Sequence, residues 1–199
     1  MEKEDVIIWY IVHCKSQKSQ KFLYMCGKHI SNEILQDIFE FTYDRMRRYE
    51  GKWHLERQPL FPDYVFLESK DGEKLTRELT KFFGVNKFLS DYAPLILLDQ
   101  KEELFLRDFC ANTHHLGMSW GYIQDGVTFV TEGPLRGKEQ LIRRIDRHKR
   151  VAQVEIPGNC RSNKCLDAEK KGHKEYGQEV STLKQFQGLQ LGLEIVAKN

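Results

Sequence analysis

Val6 to Val12 reads VIIWYIV, an uninterrupted apolar run without a charged or amide side chain. Neighbouring side chains on a strand point to opposite faces, so a half-exposed strand alternates apolar with polar. This run offers neither face to water and predicts a central strand covered on both sides. Layers above and below it are then required, and the rest of the chain has to supply them.

The first hundred residues carry suitable elements. Phe22, Cys26 and Ile30 recur at helical spacing after a Ser/Gln/Lys-rich start and predict a helix. Ile38 to Tyr43 predicts a strand, followed by a loop containing Gly51. In LFPDYVFLES, Tyr64 and Phe66 alternate with Val65 and Leu67, while Pro59 and Pro62 keep helix out of the entry. Glu73 to Phe83 predicts a second helix that groups Leu75, Leu79, Phe82 and Phe83 and stops at Gly84. Val85 to Leu89 reads as a short strand. Strand, helix, strand, strand, helix, strand is the order of a split βαβ unit with helices on one face of an antiparallel sheet. The other face is expected to be free. Asp99 with Glu102 predicts the start of a third helix running to about Ala111.

The last third changes character. Asn112 to Tyr122, polar and glycine-containing, reads as a linker. Val127 and Phe129 alternate with Thr128 as in a half-buried strand, and Gly133, Pro134 and Gly137 supply a turn. Leu141 to Ile145 predicts a second strand and Asp146 to Lys149 a turn. Ala152, Val154 and Ile156 share one face of a third strand, as Leu191, Leu193 and Ile195 do of a last. This is a meander able to curl into a small barrel. Between Arg136 and Arg150 stand seven Lys or Arg against two acids, a local excess of +5 in a chain of net charge +2. Phosphate neutralisation is one use of such a concentration, and a solvated strand face is the other.

With 199 residues, 40% of them hydrophobic, the chain accommodates one sizeable core and one small one. No apolar run approaches the roughly 20 residues that span a bilayer, and the acidic, polar start is unlike an export signal, so a cytoplasmic protein is expected. Five scattered cysteines do not suggest a disulfide framework. Cys160, Cys165 and His173 offer only three ligands at irregular spacing, so neither a metal nor another cofactor is expected. Cys14 beside His13, or Cys110 near His114 and His115, would need an orienting third group for nucleophilic catalysis, and the spacing supplies none. No catalytic residue is expected.

WYIV near the start, PLFPDYVFLE, GVNKFL after the second helix and DGVTFVTEGPLRGKEQLI together resemble the NusG superfamily of transcription elongation factors, the last segment matching its KOW motif. The spaced EGPLRG, IDRHKR and terminal LGLEIV look most like the specialised LoaP-type antiterminators. The resemblance implies an α+β chain: a ferredoxin-like NusG domain over 5–111, a linker over 112–122, and an SH3-like KOW barrel over 123–199. A long excursion at about 157–184 stands where the family usually has a short connection. It also implies a monomer that binds bacterial RNA polymerase at the clamp, through positions matching Tyr10, Phe61, Pro62, Tyr64 and Phe66, with Trp9 read as core. Asp63 replaces the glycine common in FPGYV.

Lys81, Phe82 and Phe83 match a family contact to non-template DNA, by charge and stacking. For the barrel, the LoaP-like comparison implies recognition of structured leader RNA through Arg136, Lys138, Arg143, Arg144, Arg147, His148, Lys149 and Arg150. Three readings follow: a gene-specific antiterminator recruited by leader RNA, a general elongation or termination factor whose barrel binds protein partners, and, remotely, a Cys/His enzyme.

Overall fold

A computed structural model describes residues 7–110, 113–156 and 188–198. The apolar run near the start forms β1 (Ile8–His13), which pairs antiparallel with β5 (Tyr64–Ser69) on one side and β6 (Ile96–Leu97) on the other. β2 (Asp37–Phe39) pairs with the outer edge of β5, so the sheet order is β2-β5-β1-β6. On one face, Val12, Val65 and Leu67 meet Phe22 and Cys26 of α1 (Ser19–His29) and Leu75 and Leu79 of α2 (Gly72–Phe83). Asp71 caps α2 by accepting from the Lys74 N–H, and Gly84, at φ 76°, ends it.

Val85 to Leu89 is helical rather than extended: α3 spans Val85–Asp91. The Gly84 carbonyl accepts the Phe88 N–H, which opens a new turn, and buried Phe88 and Tyr92 join the core under α1 and α2. Five residues with three apolar side chains do not distinguish the two periods. Ile38 to Tyr43 also differs, since the chain leaves the sheet after Phe39 and enters a hairpin. β3 (Thr42–Tyr49) and β4 (Lys52–Pro59) pair along their full length around Glu50 and Gly51, at φ 51° and 74°. Two positive-φ residues make the tight turn that suits the twist of paired strands.

The second face of the main sheet is covered. Trp9, Ile11, Phe39 and Phe66 pack with Phe41, Phe61, Leu106 and Phe109 in one cluster that continues through Leu116, Leu135, Ala152, Val154 and Leu191 of the last third of the chain. α4 (Gln100–Cys110) contributes its buried face, with Asp99 accepting from the N–H groups of Lys101 and Glu102. The expectation of a free face assumed helices on one side only. The central strand's unbroken apolar character instead demanded cover on both.

The stretch read as a linker contains two strands. β7 (His115–Leu116) runs parallel to β3, and β8 (Ser119–Gln124) enters a second sheet. That sheet has the order β10-β11-β12-β8-β9, with β9 at Val127–Glu132, β10 at Ile142–Asp146, β11 at Val151–Val154 and β12 at Leu189–Lys198. The phase of β9 is opposite to expectation: Val127 and Phe129 are 54% and 42% exposed, and Val130 is the core residue. The third helix's last residue, Ala111, and the 157–184 excursion with Cys160, Cys165 and His173 lie outside the described residues.

Contact between the β3–β4 hairpin and the second sheet is close at Gly192 of β12, where an added Cβ would overlap the Asp44 carbonyl of β3 and the Met118 sulfur. Backbone approach of this kind leaves no room for a side chain. Gly192→Ala is expected to lower stability by about 1–3 kcal/mol through overpacking, read as an earlier denaturant midpoint; an unchanged midpoint would show that the junction yields freely.

Candidate nucleic-acid interface

The positions matched to a polymerase contact do not form one surface. Tyr10 and Phe66 lie on opposite faces of the main sheet: Tyr10 packs against the helical layer, its ring against Gly72, while Phe66 belongs to the shared core. Phe61 is 1% exposed and Phe66 fully buried. Trp9 lies beneath them, its indole N–H donating to Glu68 at 2.5 Å and the Arg107 guanidinium 4.1 Å from its ring. Pro62 is exposed and Tyr64 half-buried, the latter stacked on His13 with ring centroids 4.7 Å apart. Alternation along the β5 segment identifies opposite faces but says nothing of what covers each.

Asp63 keeps the backbone geometry that a glycine would favour. Its φ is 66°, and its carbonyl accepts the Cys14 N–H at 2.7 Å. Aspartate is among the few side chains that tolerate this left-handed region, so the loop between β4 and β5 closes onto the end of β1 despite the replacement.

Lys81 is exposed, 3.7 Å from Glu78. Phe82 stacks on His29 at 4.9 Å and Phe83 on Phe22 at 5.5 Å, so both rings of this pair pack on α1.

The basic run divides into structural and open charges. Lys138 pairs with Asp108 and lies 5.6 Å from the centre of the Phe109 ring. Arg150 donates to Glu194 at 3.0 Å, and its guanidinium rests 4.0 Å from the Trp53 ring. These two side chains fasten the last third of the chain to α4 and the β3–β4 hairpin. Arg143 is exposed and paired with Glu155, while Arg136, Arg144, Arg147, His148 and Lys149 are all exposed. Asp146 shapes the turn after β10: the Lys149 N–H donates to its Oδ1 at 2.9 Å and holds the carboxyl below the usual carboxylate range. The resulting edge presents Arg143, Arg144, Arg147 and Lys149 outward.

Reading the stretch around Gly51 as a loop obscured two further members of this region. Arg45 and Trp53 lie on the β3–β4 hairpin, which packs beside the cationic edge. The Glu50–Gly51 pair between two eight-residue strands was the available signal.

Cys14, Cys26 and Cys110 are free cysteines. Cys14 and Cys110 are buried, and burial pushes each up to about 12; Cys26 is raised for the same reason. All three remain neutral near pH 7, where the reactive form is the thiolate. Among the described residues no helix is long and apolar enough to cross a membrane.

Two adjacent histidines pin the connection between the sheets. His114, at φ 49°, stacks face to face on Phe39 at 3.5 Å, and His115 Nδ1 is 2.9 Å from Thr42 Oγ1 with Nε2 3.2 Å from Asp44. Burial lowers the pKa of His114, outweighing the opposing charges of Asp37 and Glu68.

The fold joins a two-faced α/β unit to a β-rich part with an exposed cationic edge. Residues 8–106 match the family model described as transcription termination factor NusG. Over that span the chain is similar to the NusG family of transcription factors. No curated protein matches the chain.

Because the native state favours neutral His114 and the unfolded chain binds the proton more readily, its contribution is present above about pH 6.5 and is lost as pH falls. The melting temperature of the wild type is expected to decline from pH 7 to pH 5 more steeply than that of His114→Phe, which keeps an aromatic ring without the titration. Parallel profiles would remove His114 from this role.

Proposed function

We propose that this protein is a specialised NusG-type factor that rides on RNA polymerase and promotes processive antitermination at particular operons, with 123–199 acting as a KOW domain that recognises structured leader RNA. The observation that carries the RNA reading is the outward cationic edge of Arg143, Arg144, Arg147 and Lys149. A rigid sheet with such an edge suits hairpin RNA, which is read largely by shape and phosphate position. Lys138 and Arg150 serve the domain junction instead, and their part in RNA binding is indirect.

On the polymerase side, the outward components are Pro62 and Tyr64, with Phe61 and Phe66 supporting them from the core. The NusG-like domain, 5–111, would bridge the polymerase cleft and favour its closed, processive state. No bond is made or broken; the factor shifts a population by its differential affinity for two states. A preference of about 1.4 kcal/mol changes such a ratio tenfold. Lys81 is the exposed charge available to unpaired non-template DNA, while Phe82 and Phe83 position the helix end that carries it.

A second reading has its own support. Trp120, Val127 and Phe129 are exposed on β8 and β9, an apolar patch of the kind that receives protein partners. A general elongation factor would use that patch in place of RNA.

Single-round transcription through intrinsic terminators, with templates carrying or lacking the leader of the neighbouring operon, separates the two. Read-through confined to leader-bearing templates is the expected result, and an equal effect on all templates favours the general factor. Arg147→Ala with Lys149→Ala is expected to weaken leader-RNA binding about tenfold and to lower the salt slope by about 1.5, as for two lost phosphate contacts. Unchanged affinity would contradict the RNA assignment.

A further inference from the structure

A recess of about 360 Å³ opens between the β3–β4 hairpin and the second sheet, lined by Arg45 of β3, Arg144 and Asp146 of β10, Lys149 of the following turn, and Gln153 and Gln190 of β11 and β12. Its volume is within the range that seats a small organic group. Three cations converge there on one carboxylate. Asp146 stands 3.8 Å from Lys149 and already accepts that residue's N–H, so its charge is engaged locally. Among the described residues neither Arg45 nor Arg144 forms an ion pair. The neighbouring Arg150 is different, since Glu194 and Trp53 occupy its guanidinium.

Arg45 carries a further sign of an absent acceptor: its Nε is buried and has no hydrogen-bond partner. A buried donor left unmade is costly, and a guanidinium fork matches the oxygens of a phosphate. The recessed position discriminates among phosphate sources. Duplex DNA presents its phosphates on a convex outer surface, whereas the loop or bulge of an RNA hairpin has a strand that can turn into a cleft.

We propose that this recess seats a backbone phosphate of RNA, with Arg45 and Arg144 donating to its oxygens and Lys149 adding charge. The inference rests on the RNA reading given above and extends it: the contact is shared between the N-terminal hairpin and the C-terminal sheet. RNA held there would also tie the hairpin to the C-terminal sheet, because its ligands come from both. The N-terminal hairpin thereby becomes part of RNA recognition rather than a spectator.

The test uses the full chain and the leader RNA transcribed from its own operon, titrated at several salt concentrations. Arg45→Gln is expected to weaken binding about tenfold and to reduce the slope of log K against log salt by about 0.7–0.9, one phosphate contact. Arg45→Lys should recover the slope but not the full affinity, since it restores charge without the fork. Should Arg45→Gln prove less stable on thermal melting, Arg144→Gln, at an exposed position, provides the same readout. If both glutamine variants bind as the wild type does while Arg147→Ala with Lys149→Ala binds weakly, the recess is overturned and the RNA reading survives. Failure of the wild type to bind the leader would overturn both. Two further arms identify the source of the phosphate: equal competition by duplex DNA of the same sequence, or stabilisation by inorganic phosphate without any effect of Arg45→Gln on RNA affinity, would overturn the RNA assignment of the recess.

Discussion

Everything else in the structure follows from the need to bury β1 on both faces. Helices α1, α2 and α3 cover one side, and the aromatic cluster of Trp9, Phe39, Phe41, Phe61 and Phe66 lines the other. Each such side chain, fully buried, contributes about 1.5–3 kcal/mol, so the second face is a large share of the folding energy and cannot remain open. α4 seals part of it, and the same apolar cluster runs on into the C-terminal sheet. Although the chain reads as two units, their cores are continuous. The junction is reinforced where backbone meets backbone at Gly192 and where Arg150 lies on Trp53.

That junction also sorts the charges. A concentration of basic residues in sequence reads as one patch, yet Lys138 and Arg150 are drawn inward by Asp108, Phe109, Glu194 and Trp53. The remainder stay outward along β10 and its turn. A half-buried arginine with its acid satisfied holds structure together, whereas an exposed one adds affinity for phosphate at little cost in desolvation. The cationic edge is therefore smaller than the run that encodes it, and it borders the N-terminal hairpin.

Much of this was legible in the chain itself. The apolar run specified a central strand, and the spacing of Phe22, Cys26 and Ile30 specified α1. Asp71, although not used as a signal, caps the helix that Leu75 and Leu79 marked, and Gly84 ends it as expected. Misreadings have physical causes. β3 and β4 carry mostly charged and polar side chains, so no apolar alternation marked them, and only the Glu50–Gly51 turn did. α3 was too short to show a period. In β9 the alternation was read from Val127 and Phe129, but Val130 faces the core. The candidate partner residues were harder, because an aromatic residue looks the same in sequence whether its face is solvent, core or interface. Only the position of α4 and the second sheet decides that Phe61 and Phe66 are covered while Pro62 is exposed and Tyr64 half-buried.

The central claim is that β1 and β12 belong to one cooperative core. Native-state hydrogen exchange with residue resolution tests it directly, because amides that open only with the whole structure share the global unfolding free energy. The account predicts that the hydrogen-bonded amides of Trp9 to Val12 and of Leu189 to Leu193 exchange with the same free energy and respond alike to denaturant. Exchange of the β12 amides at a much lower free energy, with β1 still fully protected, would contradict it and leave the second face of the main sheet dependent on α4 alone.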